Sequence, residues 1–169
     1  MLRRLLLVSV AFGMSLALVR PAMAQEPDRS MSIGGGGGYT YDFHSDWFVI
    51  DAVARLPVTI PNNKWFHPFT LTPRFEVWPT FGQFQFDLDG VWDIPVVPDT
   101  PVQPYMGIGI GVGHTEGATA VLFNVDAGLR YKKPAWKHEF AVEMHYSAGL
   151  NWENSMAINF LVFFPIKKS

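Results

Sequence analysis

The chain has no cysteine, and that one absence removes disulfides as a source of stability. No apolar run after residue 24 is long enough for a transmembrane helix. No GxGxxG loop leads into a helix pattern, so no dinucleotide or other cofactor is implied. None of His67, His114 or His138 has metal-ligand spacing backed by a third ligand, and no metal site is read from the sequence. What the chain has in quantity is aromatic residues, 15% of the total, and 15 glycines.

The first residues have their own logic. Arg3 and Arg4 precede the apolar run LLLVSVAFGMSLALV, and Ala22-Met23-Ala24 follows as a small-x-small cleavage site. Residues 1–24 therefore read as a secretory signal peptide, and residues 25–169 as one domain. Removing Arg3, Arg4 and Arg20 leaves 10 basic residues against 15 acidic ones, a net charge of −5. Nucleic acid is excluded as a partner, because phosphate binding is driven by Lys and Arg. An exported chain with many aromatics, no disulfides and no apolar helix fits a membrane β-barrel, which satisfies its backbone groups in a closed sheet.

From Met31 onward the chain alternates between apolar and polar residues in short segments broken by Pro, Gly, Asn, Asp and Ser. Eight segments are expected: 31–42, 46–57, 65–78, 80–93, 102–114, 120–131, 136–147 and 155–166. Short turns fall near 58–64, 94–101 and 132–135, with loops at the other end near 43–45, 78–80, 114–119 and 148–154. An even number of antiparallel strands closes on itself with both chain ends on one side and leaves no edge.

Successive side chains of a strand face opposite ways, so each segment splits by parity. In the sixth, Val121, Phe123, Val125, Ala127, Leu129 and Tyr131 oppose Leu122, Asn124, Asp126, Gly128 and Arg130. In the seventh, Trp136, His138, Phe140, Val142, Met144 and Tyr146 oppose Lys137, Glu139, Ala141, Glu143, His145 and Ser147. The fourth sets Phe84, Phe86, Leu88 and Trp92 against Gln83, Gln85, Asp87, Asp89 and Asp93. The eighth is less regular, since Leu161 and Phe163 make its second face mixed. In the fifth, Gly107, Gly109, Gly111 and Gly113 share the polar parity. Glycine at every second position weakens a strand unless something must lie close to it. The run Gly34–Gly38 leaves similar room in the first segment, or else is a flexible linker.

The polar face carries Asp51, Arg55, Arg74, Glu76, Asp87, Asp89, Asp93, Asp126, Arg130, Lys137, Glu139 and Glu143, both signs together. Such groups can pair across a narrow lumen, where leaving them unpaired is costly. Aromatics near segment ends (Tyr39, Tyr41, Trp65, Trp92, Tyr131, Trp136, Tyr146) suit an interfacial girdle. The apolar face is therefore expected to look outward into lipid. The alternative, a soluble periplasmic lipocalin-like binding barrel with its apolar face inward, lacks a Gly-x-Trp near the first strand.

From MSIGGGGGYTYDF to INFLVFFPI the chain resembles the small eight-stranded outer-membrane β-barrel proteins of Gram-negative bacteria, with PYMGIGIGVG and FNVDAGLRY similar to their penultimate hairpins. The resemblance implies an all-β, eight-stranded antiparallel up-and-down transmembrane barrel in the cell outer membrane. Its partners would be outer-membrane lipids, lipopolysaccharide and, during biogenesis, the barrel assembly machinery. Members often end on an aromatic residue, whereas here Phe164 is followed by PIKKS.

PYMGIGIGVG, AGLRY and HYSAGL are locally similar to the PagL-type lipid A deacylases. That likeness implies His145 as base and Ser147 as nucleophile in an acyl ester hydrolase; the spacing beyond the pair does not match the family, and Glu153, next along the chain, is taken as the orienting carboxylate. Two features oppose it. The family places Asn after the serine, where this chain has Ala148, and it presents the pair to lipid, whereas parity here turns His145 and Ser147 inward with Glu143. The expectation is a non-enzymatic barrel with a charged, closed lumen and a structural or surface-interaction role. Deacylase and soluble binding barrel are the alternatives.

Overall fold

A computed structural model describes residues 30–166, apart from 43–45, 59–68, 81, 97–99, 116, 133–134 and 150–151; the side chains of Asp42, Asp46, Trp152 and Glu153 are also outside the described set. The signal-peptide reading of residues 1–24, and Trp65 and His67, fall outside the described residues. Eight strands follow one another: β1 Ser32–Asp42, β2 Asp46–Val58, β3 Phe69–Trp78, β4 Gln83–Asp93, β5 Val102–Thr115, β6 Ala118–Tyr131, β7 Glu139–Gly149 and β8 Trp152–Pro165. Each is antiparallel to the next, and β8 pairs back onto β1, so the sheet closes as an all-β up-and-down barrel.

The strand ends depart from expectation where tight turns replace loops. β5 runs on through His114 and Thr115, which were expected in a loop, and β6 starts at Ala118. Gly117 (φ 86°) adopts the left-handed backbone that this turn needs. β4 starts at Gln83 after a turn containing Gly82 (φ 60°). β8 starts at Trp152 rather than 155, and β7 at Glu139 rather than 136. Lys137 therefore precedes its strand and is exposed instead of joining the inward face.

The glycine run is strand, not linker. Gly34 to Gly38 pair with β2 on one side and β8 on the other. A Cβ on Gly36 would run into the backbone carbonyl of Phe160, so only glycine allows this approach.

Parity holds around the barrel. Phe84 (42% exposed), Phe123 (53%) and Phe140 (39%) point outward, while Arg74, Glu76, Asp87, Asp89, Asp126 and Glu143 are buried inside. At the end where the chain enters β1 and leaves β8, rings gather on the outer surface. Trp136 lies 5.7 Å from Tyr131 and 5.6 Å from Phe140, and Phe69 lies 5.8 Å from Trp92.

Inside that end, Val53, Val91, Tyr105, Ala141, Leu161 and Phe163 form an apolar cluster. Arg55 lies over Phe163 at 5.0 Å and pairs with Glu139 at 2.5 Å; Arg130 lies over Tyr105 at 4.7 Å and pairs with Asp93. At the other end Val49, Trp78 and Ala157 cluster with Trp47, and the Trp78 indole N–H donates to Thr40 Oγ1 at 3.0 Å. The mixed face of β8 thus has a physical use: Leu161 and Phe163 fill one end of the interior.

Candidate functional site in the barrel interior

Between the two apolar clusters lies a band of polar side chains set by cross-strand register. β6 and β7 place Asp126 opposite His145 and Asn124 opposite Ser147. β3 and β4 place Arg74 opposite Asp87 and Glu76 opposite Gln85. β5, between β4 and β6, supplies only glycines at this level: Gly109 is opposite Asp89 and Gly111 opposite Asp87. A Cβ on either would overlap the carboxylate facing it. The glycines that share the polar parity therefore make room for the acids.

His145 joins two neighbours. Its Nδ1 lies 2.6 Å from Asp126 Oδ1 and its Nε2 lies 2.9 Å from Ser147 Oγ. Serine, imidazole and carboxylate stand in the order that nucleophilic catalysis uses. The hydroxyl has competing commitments, however. Ser147 Oγ accepts from Gln85 Nε2 at 2.9 Å and lies 3.0 Å from Asn124 Oδ1 as a donor. Asn124 is held in that orientation because its Nδ2 donates to Asp87 Oδ1 at 2.7 Å. Ser147 (1% exposed) and His145 (2%) are both buried.

Arg74 pairs with Glu143, and its guanidinium lies 3.5 Å from Glu76 Oε1 and 3.8 Å from Asp126 Oδ1. Tyr105 O–H donates to Glu143 Oε2 at 2.8 Å. The expected pairing of opposite signs is thus present but incomplete. Among the described residues, six buried carboxylates (Asp51, Glu76, Asp87, Asp89, Asp126, Glu143) share this band with one guanidinium, Arg74, and one imidazole, His145. The other inward arginines, Arg55 and Arg130, serve Glu139 and Asp93.

Of the three residues of the deacylase alternative, the structure brings His145 and Ser147 together. The side chain of Glu153 lies outside the described residues. The carboxylate that meets His145 is Asp126, nineteen positions earlier in the chain. Among the described residues, the break in the β7–β8 register falls between Ser147 and Gly149, beyond the pair, so it does not turn His145 outward. His138, on the outer parity, stacks at 5.5 Å on Trp136.

No protein-family model matches the chain, and no curated protein sequence matches it. Solved structures do. The N-terminal β-barrel domain of Pseudomonas aeruginosa OprF is 15% identical, with a TM-score of 0.60 over 82% of this chain and 98% of that one. The outer membrane enzyme PagL is 12% identical, with a TM-score of 0.54 over 80% and 99%. Neisserial surface protein A is 11% identical, with a TM-score of 0.50 over 80% and 96%. At such identities the likeness is one of fold. The chain has the architecture of the small eight-stranded outer-membrane barrels, one of which is an enzyme.

Proposed function

We propose that this chain is an outer-membrane barrel with no chemistry of its own, serving envelope structure or surface interaction, with both ends in the periplasm and a closed interior. The observation that carries the reading is the inward burial of His145 and Ser147, away from any acyl chain at the outer surface. The exposed Ile108, Ile110, Phe123 and Phe160 supply an outer face suited to lipid rather than water. Apolar clusters at both ends support a blocked lumen, and hence no diffusion pore. Lipopolysaccharide and the barrel assembly machinery are the partners this placement would bring.

The Ser147–His145–Asp126 chain favours a second reading, a lipid A ester hydrolase. It would need a path for an ester into the interior, and it places Ala148 after the serine. Mass spectrometry of lipid A from cells expressing the wild type and Ser147→Ala separates the two. Identical, fully acylated spectra are expected. Loss of an acyl chain with the wild type alone would replace this reading with the enzyme.

A further inference from the structure

We propose that the barrel interior binds one divalent transition cation, of the zinc class, through His145 Nε2, Glu76 Oε2 and Asp87 Oδ2.

The first support is geometric. The ligand atoms of these three residues lie within 4.8 Å of one another, though they come from β7, β3 and β4. His145 Nε2 is 3.6 Å from Glu76 Oε2 and 3.8 Å from Asp87 Oδ2. Zinc bonds of ~2.0–2.2 Å in tetrahedral array put ligand atoms roughly 3.4 Å apart, so the two separations from the imidazole need shrink by only a few tenths of an ångström.

The second support is independent. Glu76 Oε2 is fully buried, has no hydrogen-bond partner among the described residues, and lies 3.6 Å from the imidazole Nε2. A buried carboxylate oxygen left without donor or cation is costly.

The surrounding groups are arranged as a metal-bound histidine requires. Asp126 accepts from the Nδ1 side at 2.6 Å, which fixes the tautomer and leaves Nε2 without a proton, 2.9 Å from Ser147 Oγ and within 4 Å of Glu76 and Asp87. Gln85 Nε2 donates to both oxygens of Asp87, at 2.8 and 2.9 Å, and holds that carboxylate in place. Ser147 is satisfied by Gln85 and Asn124 without the imidazole. The charge also fits, since six carboxylates outnumber Arg74 and His145 in this band. One imidazole and two carboxylates suit a borderline cation better than magnesium or calcium, which take all-oxygen sets. A second grouping, Asp89, Asp126 and His145, would need the Nδ1 that Asp126 already holds, so it is the poorer site.

The test folds the full chain in detergent with Zn²⁺ present, strips loosely held metal with EDTA, and measures zinc per folded barrel by mass spectrometry. Retention of about one zinc is expected, because a site buried between two apolar clusters releases metal slowly. Glu76→Gln should lose it at least tenfold, while Asp89→Asn and a His114→Ala/His138→Ala variant should keep it. Co²⁺ in the wild type should give the visible absorption of a four-coordinate site, a readout that needs no variant to fold. Zinc-free wild-type barrels, or equal retention by folded Glu76→Gln, would overturn the site.

Discussion

Arg74→Met probes the interior most severely, because one guanidinium serves three carboxylates there. Arg74, Glu76, Asp126 and Glu143 are all at most 3% exposed. Methionine fills much of the same volume, so the cavity contribution is small and the charge effect dominates. Removing one partner of a buried ion pair costs ~3–5 kcal/mol. Glu143 would keep the Tyr105 hydroxyl and Asp126 would keep His145, which argues against a larger loss. We expect about 4 kcal/mol, read as a shift of the urea midpoint for barrels in lipid vesicles near neutral pH. Adding Glu143→Gln removes the orphaned charge, so the double variant should recover at least about 1 kcal/mol relative to additivity. A loss below about 1 kcal/mol, the range of a solvated surface pair, would refute the reasoning. Strict additivity of the two substitutions would refute it as well.

The other predictions concern the two faces of the sheet. Gly111→Ala forces a methyl into Asp87 and should cost about 1–3 kcal/mol in the same urea assay, whereas Ile110→Ala beside it, 63% exposed, should cost less than half as much. Equal losses would mean that the glycine face is not the crowded one. Val125→Lys, near the middle of β6 on the outer face, should cost about 2–4 kcal/mol in lipid vesicles. A change within about 0.5 kcal/mol would mean that this face meets water.

The alternation of β4, β6 and β7 was legible because each residue type there agrees with its face, and closure followed from the even strand count. The carboxylate beside His145 was not legible, for a reason of register. A turn confined to 132–135 would set Tyr131 opposite Trp136 and Asp126 opposite Ala141. The strands instead pair Tyr131 with Phe140, four residues later, and that longer connection delivers Asp126 to His145. Glu153 was suggested only by nearness in sequence. Nor does parity reveal position along the barrel axis. It placed arginines and acids on one face but could not show Arg55 and Arg130 drawn to one end while the acids concentrate mid-barrel. Leu122, Leu161, Phe163 and Trp78 break the polar pattern because the interior changes character along its length. A three-strand grouping such as His145, Glu76 and Asp87 has no sequence spacing at all, since it exists only after the sheet closes.

The claim beneath all of this is that greasy residues face out and titratable ones face in, and cysteine labelling tests it most directly. Because the chain has no cysteine of its own, Phe123→Cys and Ser147→Cys each create a single thiol. A nitroxide attached to the Phe123→Cys thiol before folding into lipid vesicles should collide with dissolved oxygen far more often than with a water-soluble nickel complex, whereas the Ser147→Cys thiol should resist a water-soluble maleimide until urea unfolds the protein. Frequent collision of the Phe123→Cys nitroxide with the nickel complex, or ready labelling of folded Ser147→Cys, would contradict the account.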